Sequence, residues 1–282
     1  MNSCRYAALI ALTALFATSF TKPIREDGWQ LLFNGKDLSG WDTYIGPPLD
    51  EAGRKLNDIP VGLNTDPKHV FTIVDDNGQK VIRISGENWG GISTKKEYSN
   101  FHLQLKFKWG TLTWGPKKGK KKDSGLLYFA VGPHGADYGA WMRSQEFQIQ
   151  EGDCGDYWGV AGGSFEIAAR KNKEGFIYDN AAPKLLFNEK SPNGRWCIKL
   201  RNAEKPNGQW NTIEIYCIGD TAIHLVNGVV VMILNHSSQL DKGELTTLAH
   251  GKIQIQSEGA EIFYRNIELE QIKKFPADLL LH

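Results

Sequence analysis

Hydrophobic and polar residues alternate with a period of two along most of the chain after residue 29. Between residues 101 and 109, five apolar residues alternate with polar ones, which predicts a half-buried β-strand. Tight hairpin turns are expected at Asn77-Gly78 and at Asn227-Gly228, each of which separates two alternating runs. Further strands are predicted at residues 71–85, 125–131, 145–150, 213–218, 222–226, 229–234, 252–256 and 261–270.

Helical periodicity is absent over any stretch of three turns, so the sequence predicts an all-β fold. Long connections between the strands favour a jelly-roll sandwich of two antiparallel sheets over an up-and-down barrel, whose loops are shorter. Residues 44–69 and 157–208 are too long for simple connections. We expect them to wall a cleft; the alternative is that they only decorate the sheet edges.

The amino terminus has the pattern of a secretory signal peptide. Arg5 precedes an apolar run over residues 6–20, and the polar segment Thr21-Lys22-Pro23 follows. The run is too short for a comfortable transmembrane helix. We therefore expect a signal peptide at residues 1–20, a single mature domain at residues 21–282 without a transmembrane segment, and a periplasmic or secreted location.

Charge and cysteine content exclude some classes of function. The 33 basic and 32 acidic residues give a net charge of +1, so no overall field recruits nucleic acid or an anionic membrane. The lysine-rich segment 117–122 is interpreted as a solvated loop. Three cysteines follow the signal peptide, Cys154, Cys197 and Cys217, and this odd number predicts buried free thiols rather than a disulfide framework.

The segment from Glu146 to Trp158 has the composition of a sugar-binding surface. Side chains alternate between the two faces of a strand, so Phe147 and Ile149 are expected in the core, while Glu146, Gln148 and Gln150 share the other face. Acids and aromatic residues follow in the next loop, where Trp158 lies. Such groups suit a ligand with hydroxyls on its edges and C–H groups on its faces. The alternative is an ordinary half-exposed edge strand.

Several motifs, in order along the chain, resemble the 3-keto-disaccharide hydrolase family. The first of these motifs is Gly28-Trp-Gln-Leu-Leu-Phe-Asn-Gly, which is followed by Gly40-Trp41. Later come Asp-Ser-Gly at 123–125, Glu-Phe-Gln-Ile at 146–149, His-Leu-Val-Asn-Gly at 224–228, the segment 251–259, and Arg-Asn-Ile at 265–267. The resemblance implies a concanavalin A-like jelly roll and cleavage of 3-keto-glycosides. In the acidic loop the chain departs from the family pattern, which leaves the family's loop acid unassigned.

The implied chemistry requires a general base, a donor for an oxyanion and groups that bind hydroxyls, because a ketone at C3 of a sugar makes the C2 proton acidic. Glu146 is the first candidate base, followed by Asp153 and His224. Each also has a structural interpretation: a hydroxyl ligand, a loop cap and a buried histidine, respectively. Ser124 or Arg265 would polarise the ketone. The candidate substrate-binding residues are Ser124, Gln148, Trp158, Gln256 and Arg265.

A separate sugar 3-oxidoreductase is expected as a partner in the same pathway, because the chain has no Gly-x-Gly-x-x-Gly motif after a strand. No cofactor is predicted. Calcium stays an open alternative, since Glu151, Asp153 and Asp156 would supply oxygen ligands, although their spacing matches no ordered calcium loop.

Two other functions fit the same sandwich. The order Glu146-x-Gln148-x-x-Glu151 resembles the signature of laminarinase-like retaining glycoside hydrolases, with glutamine in place of the central aspartate. A lectin-like module that binds carbohydrate without cleaving it is the second alternative, because a fold does not fix a function.

Overall fold

The computed structural model describes residues 28–280, which contain twenty β-strands and two single 3-10 turns. The predicted signal peptide lies outside these residues. The strands are β1 (Gln30–Leu31), β2 (Trp41–Ile45), β3 (Gly62–Leu63), β4 (Phe71–Asp76), β5 (Gln79–Ile84), β6 (Gly90–Thr94), β7 (Phe101–Thr113), β8 (Asp123–Val131), β9 (Arg143–Gln150), β10 (Tyr157–Val160), β11 (Gly163–Lys171), β12 (Phe176–Tyr178), β13 (Lys184–Phe187), β14 (Trp196–Cys197), β15 (Asn211–Ile218), β16 (Thr221–Val226), β17 (Val229–Asp241), β18 (Glu244–Thr247), β19 (Lys252–Ser257) and β20 (Ala260–Gln271). The 3-10 turns are η1 (Gly115–Lys117) and η2 (Ala277–Leu280).

The strands form two antiparallel sheets, which confirms the predicted jelly-roll sandwich. The large sheet has the order β12-β11-β17-β16-β15-β7-β20-β5-β4, with β1, β13 and β18 paired at its sides. The small sheet has the order β14-β10-β9-β8-β19-β6-β2-β3. No helix within residues 28–280 has the length and apolar content needed to cross a membrane.

The hydrophobic core lies between the two sheets and follows the alternation in the sequence. In β7, Leu103, Leu105 and Phe107 are fully buried on the inner face of the large sheet. In β9, Phe147 and Ile149 are fully buried on the inner face of the small sheet, as predicted. Removal of this apolar surface from water is the main stabilising contribution to the fold.

Both predicted hairpin turns are confirmed. Asn77 and Gly78 have φ angles of 54° and 83° between β4 and β5, and Asn227 and Gly228 have 50° and 79° between β16 and β17. Two successive residues with positive φ match the right-handed twist of a hairpin, which is why Asn-Gly is favoured at these positions.

The two long segments carry strands of their own and extend the sheets. Residues 44–69 add β3 to the edge of the small sheet. Residues 157–208 add β10 and β14 to the small sheet and β11, β12 and β13 to the large one. The three cysteines in the described part of the chain are buried and free, as predicted.

Candidate active site

A cleft lies on the outer face of the small sheet, opposite the core. Its floor is formed by Glu146 and Gln148 of β9 and by Gln256 of β19, which alternate with core residues along their strands. Trp158 of β10 pairs directly with Glu146 and therefore shares its face. The predicted phase of β9 is thus confirmed, and Glu146, Gln148, Trp158 and Gln256 line one cavity.

Gly125 of β8 leaves the space in which the floor side chains meet. It pairs with Gln148, and a Cβ at this position would stand 2.2 Å from Glu146 Oε1 and 2.4 Å from Gln256 Oε1. Real Cβ atoms do not approach other atoms so closely, so the two oxygens occupy the volume that a side chain would take. The glycine therefore brings a carboxyl and an amide oxygen from two strands side by side.

The walls come from segments that are distant in the sequence. The loop before β9 contributes Asp137, Tyr138 and Trp141, and the segment before β14 contributes Arg195. Arg195 donates a hydrogen bond to Asp137 at 2.9 Å, which joins two walls of the cleft. Residues 157–208 thus wall the cleft, as expected from their length.

The cleft has the size and the aromatic lining of a small sugar site. Its volume is about 280 Å³, near the lower end of the range for ligand pockets, ~300 to 1,000 Å³. Trp89 and Trp141 stack at 5.4 Å, and Tyr138 meets both rings edge-on. The Arg195 guanidinium lies 5.6 Å from the Trp158 ring. Flat ring surfaces of this kind pack well against the C–H face of a pyranose.

Glu146 is a buried carboxyl with a perturbed acidity. The residue is 5% exposed, and its carboxyl oxygens make no hydrogen bond or ion pair with any group of residues 28–280. Burial, and next the negative charge of Asp123, raise the pKa of Glu146 well above its ordinary value of 4.5. Arg195 and Lys117 act in the opposite direction. A carboxylate so placed is a stronger base than an exposed one.

Two further carboxyls and one ammonium group complete the charged cluster. Lys117 of η1 forms an ion pair with Asp123 and lies 3.9 Å from Glu258. Burial and the charge of Asp123 raise the pKa of Glu258 well above 4.5, and burial also raises the pKa of Asp123. Burial by itself would lower the pKa of Lys117, but Asp123 and Glu258 outweigh it and raise that pKa. Lys117 therefore stays charged beside acids that hold protons readily.

Three buried oxygens in the cleft accept no hydrogen bond from any described residue. They are Asp123 Oδ1, Gln148 Oε1 and Gln256 Oε1. Buried acceptors are nearly always satisfied in native proteins, so unsatisfied ones at the floor of a cavity point to donors on a ligand. Hydroxyl groups are donors that such oxygens can accept from.

Two of the predicted site residues face the core instead of the cleft. His224 of β16 is fully buried between the sheets, 2.8 Å from the Tyr128 hydroxyl and 4.6 Å from the Phe147 ring. Ser124 is also fully buried and donates to the backbone oxygen of Gln256. The structure therefore supports the structural interpretation of His224. Ser124 lies on the face of β8 that points away from the cleft, and its neighbour Asp123 lines the cleft.

Arg265 and Asp153 are also placed away from the cleft. Arg265 lies on the outer face of the large sheet, where its guanidinium stacks 3.9 Å from the Trp210 ring and donates to Gln79. Asp153 follows β9 in the acidic turn and pairs with Lys121 at 2.7 Å. Neither residue lines the cleft.

The three acids considered for calcium point to different partners. Glu151 accepts from Asn207 and from the backbone of Lys122, Asp153 pairs with Lys121, and Asp156 pairs with Lys199 at 3.1 Å. No group of three or more His, Cys, Asp or Glu side chains within residues 28–280 is arranged to hold a metal ion.

The laminarinase-like pair is not assembled in the cleft. The pairing of β9 with β8 is regular from Glu146 to Gln150, without the bulge that such enzymes use to keep both glutamates on one face. Glu151, five residues beyond Glu146, therefore lines a separate surface with Asn202 and Asn207.

Sequence reasoning missed most of the wall residues. Lys117 belongs to the segment interpreted as a solvated loop, and Asp137, Arg195 and Glu258 lie outside the strand pattern used to find the floor. A signal was present for Asp123, which stands two residues before Gly125 on β8, and for Glu258, which stands two residues after Gln256 and directly follows β19.

Comparison with known proteins identifies the family. The model of the 3-keto-alpha-glucoside-1,2-lyase-like domain matches residues 28–270. A comparison with curated proteins finds no match. Among solved structures, a candidate glycosyl hydrolase of Parabacteroides distasonis ATCC 8503 is similar at 17% identity and a TM-score of 0.48, covering 89% of this chain and 99% of its own.

Two other solved structures are similar at 10% identity. One is a Bacillus subtilis protein of unknown function with a galectin-like fold, with a TM-score of 0.45 and coverage of 87% of this chain and 96% of its own. The other is a Bacteroides ovatus GH16 protein in complex with a glucan product, with a TM-score of 0.44 and coverage of 84% and 97%. The family match supports a carbohydrate-active function.

Proposed function

Because the chain belongs to the 3-keto-alpha-glucoside-1,2-lyase-like family, we propose that it cleaves 3-keto-glycosides, with the oxidised sugar bound in the cleft over Glu146. The observation that carries the proposal is the position of Glu146. It is a carboxyl of raised pKa on the floor of a sugar-sized cavity, beside unsatisfied acceptors and a charged lysine.

The first step removes the C2 proton. Glu146 in its carboxylate form takes this proton, and the electron pair of the C2–H bond passes into an enolate whose oxygen was the C3 ketone. Lys117, the ammonium group of the cluster, stabilises the negative charge that develops on that oxygen. A fixed cation in a water-poor cleft stabilises such charge more strongly than water does.

The second step breaks the glycosidic bond. The enolate re-forms the ketone, a C1–C2 double bond forms, and the C1–O bond breaks with its electron pair on the leaving oxygen. Glu258 donates a proton to that oxygen, since burial and the charge of Asp123 raise its pKa and favour the protonated carboxyl. The products are a free alcohol and an unsaturated 3-keto sugar. Addition of water across C1 and C2 completes a net hydrolysis.

Sugar hydroxyls supply the donors that the floor lacks. Gln148 Oε1 and Gln256 Oε1 accept from hydroxyls of the bound ring, and the Trp158 ring covers one face of it. These contacts are present before and during the reaction, so they contribute to binding in both the ground state and the transition state.

The decisive experiment compares a glucoside with its 3-keto derivative. Purified protein should release the alcohol from the 3-keto compound alone, measured by mass spectrometry, and Glu146→Gln should release it at least ~100-fold more slowly. Glu261→Gln is the matched control, because Glu261 is a carboxyl of similar burial, 7% exposed against 5%, on the other sheet. Cleavage of the unoxidised glucoside alone would instead indicate a glycoside hydrolase. Binding of both sugars without cleavage would indicate the lectin-like alternative.

The proposal includes a location and a partner. A separate sugar 3-oxidoreductase would supply the ketone, and the pattern at residues 1–20 would direct the chain out of the cytoplasm. Expression in a bacterial host followed by N-terminal sequencing of the periplasmic fraction tests the location. We expect a mature start near Thr21. Recovery of Met1 from the cytosol would contradict the proposal.

A further inference from the structure

The Arg-Asn-Ile motif at residues 265–267 is used by none of the steps above, and the structure places it at a β-bulge of the large sheet. The pairing of β20 with β7 shifts its register between Arg265 and Glu268, and Asn266 has a φ of 51° within the shift. A bulge changes the direction of the neighbouring side chains and is frequent beside functional sites. The backbone of β20 at this point therefore sets the orientation of the Arg265 side chain.

Two contacts fix the guanidinium of Arg265. It lies 3.9 Å from the centre of the Trp210 ring, and its Nη1 donates a hydrogen bond to Gln79 Oε1 at 2.8 Å. The amide nitrogen of Gln79 donates in turn to Asn266 Oδ1 at 3.0 Å. The Nε–H of Arg265 is buried and has no acceptor within residues 28–280. Buried donors are nearly always satisfied in native proteins, so this one points to an acceptor on a ligand.

A second cation stands directly opposite Arg265. Lys106 of β7 is its partner in the register, and side chains in such positions begin ~5 Å apart. Neither Lys106 nor Arg265 forms an ion pair in the described part of the chain. Like charges in directly opposite positions destabilise a sheet, and an oxyanion bound between them would remove the repulsion. The pair therefore has the arrangement of an anion site.

The neighbouring cations on this face differ, because each has an acid beside it. Lys108 pairs with Asp76 at 2.8 Å, and Arg83 pairs with Glu261 at 2.7 Å. The positive charge that no acid neutralises here is thus that of Lys106 and Arg265.

Aromatic rings adjoin the unpaired charges. The rings of Trp210 and Phe263 are half-buried, and their centres lie 4.9 and 5.7 Å from Lys108 Nζ. Exposed parts of such rings pack against the C–H face of a sugar, and a guanidinium binds a carboxylate or sulfate through two parallel hydrogen bonds. A sugar unit that carries an acidic group fits both features.

We propose that Lys106, Arg265 and Trp210 form a second binding site, which takes the carboxylate or sulfate group of an acidic glycan. The acidic group lies between Lys106 and Arg265, and the sugar ring that carries it packs beside Trp210. This site is on the outer face of the large sheet, whereas the cleft is on the outer face of the small sheet. The protein can therefore hold an acidic polysaccharide while the cleft stays open to its own substrate, and the inference does not depend on the proposed reaction.

Calorimetry with three oligosaccharides tests the site. Trigalacturonate carries carboxylates, a κ-carrageenan tetrasaccharide carries sulfate esters, and maltotriose is neutral. Wild-type protein should bind at least one of the acidic glycans, which identifies the acidic group, and about 0.5 M NaCl should weaken that binding about tenfold by screening the charges. The double variant Lys106→Met/Arg265→Met should weaken it about tenfold or more at low salt, and should cleave a 3-keto-glycoside as wild-type protein does.

The matched control is Arg170→Met/Lys171→Met. It removes the same charge at the other side of the large sheet, where Lys171 also lies near a ring, that of Phe176 at 5.8 Å. This control and Glu146→Gln should both bind the acidic glycan as wild-type protein does. Lys106→Met alone removes the repulsion and leaves the Arg265 stack intact, so it should raise Tm and still weaken binding, a combination that loss of folding cannot produce.

Four results would overturn the inference. They are no binding of either acidic glycan, equal weakening in Arg170→Met/Lys171→Met, weakened binding in Glu146→Gln, and binding of maltotriose that the Lys106→Met/Arg265→Met variant abolishes. Inorganic phosphate or a DNA oligonucleotide binding more tightly than either glycan would overturn it as well, by indicating a phosphate site.

Discussion

Gly125 and Glu146 occupy adjoining strands so closely that a Cβ on residue 125 would stand 2.2 Å from Glu146 Oε1. Gly125→Ala should therefore push the carboxyl out of position. The displaced atoms are the ends of two flexible side chains, so the protein should still fold, with a change in the free energy of unfolding of about 1 kcal/mol. We expect kcat on a 3-keto-glycoside to fall about 100-fold, because a small displacement of a reacting group costs that much.

Gly110→Ala is the control for this substitution. A Cβ on Gly110 would meet Glu261 Oε2 at 2.3 Å and Glu261 Cγ at 2.5 Å, so it also displaces a glutamate side chain, but on the large sheet. Steady-state kinetics and thermal melts of both variants decide the matter. If Gly125→Ala keeps full activity, or if both variants lose activity equally, Gly125 does not set the position of the base.

Glu146→Gln should lower kcat by ~10² to 10⁴, as loss of a general base does. It should also stabilise the protein at neutral pH. The folded pKa of Glu146 lies above 4.5, so wild-type protein loses stability as the pH rises from 4.5 through the folded pKa, by about 1.4 kcal/mol for each pH unit between the two values. Glutamine does not titrate and has no such loss of stability. The difference in Tm between variant and wild type should therefore grow with pH. A difference independent of pH would contradict the raised pKa.

The pH dependence of kcat/KM should respond in opposite directions to two neighbours of Glu146. Its carboxylate form is active, so the acidic limb of the profile should lie above pH 4.5. Burial, Asp123 and Asp137 raise the pKa of Glu146, whereas Arg195 and Lys117 lower it. Asp123→Asn should move the limb to lower pH, and Lys117→Met should move it to higher pH.

Lys108→Met is the control for the lysine variant. Lys108 has a side chain about as buried as that of Lys117, 18% against 20% exposed, and forms an ion pair with Asp76 at 2.8 Å on the large sheet. It should leave the acidic limb in place. Shifts of the same sign in Asp123→Asn and Lys117→Met would show that another group controls the limb.

Arg195→Ala should raise KM. The guanidinium joins two walls through Asp137 and lies near the rings of Trp158 and Tyr138, so its loss loosens the aromatic surfaces that contact the sugar. We expect a five- to tenfold increase, roughly 1 to 1.4 kcal/mol of binding. Arg170→Ala removes an exposed pair with Asp179 in the same insertion and should leave KM unchanged. If KM is unaltered in Arg195→Ala, the contact between Arg195 and Asp137 does not contribute to substrate binding.

His224 should affect acid stability instead of catalysis. Burial lowers the pKa of His224 from 6.5 to about 3, so the folded state keeps the ring neutral while the unfolded chain takes up a proton below pH 6.5. Wild-type stability should therefore fall from pH 6.5 towards 3, by about 1.4 kcal/mol per unit. His224→Gln, whose amide can hydrogen-bond the Tyr128 hydroxyl, should lack this part of the fall and retain kcat. A large loss of kcat in folded His224→Gln would restore His224 as a candidate base.

The sequence by itself determined the class of fold and the phase of its strands. Alternation placed Phe147 and Ile149 in the core and Glu146 and Gln148 on the opposite face, because the side-chain period of a strand is fixed by backbone geometry. The Asn-Gly pairs identified their turns because few other residues tolerate positive φ twice in succession. The order of motifs along the chain was enough to identify the family, which the match over residues 28–270 confirms.

Only the tertiary structure decided which polar residues meet. Alternation shows that His224 and Leu225 face opposite sides of β16, but it does not show which side faces the other sheet, and His224 proved to lie on that side, against Tyr128 and Phe147. Lys117, Asp137 and Arg195 lie outside the strands, where no period of two constrains the side chain, and they reach the cleft through contacts between segments far apart in the chain. The candidate base Glu146 could be predicted from a local pattern, whereas the charges that shift its pKa depend on long-range packing.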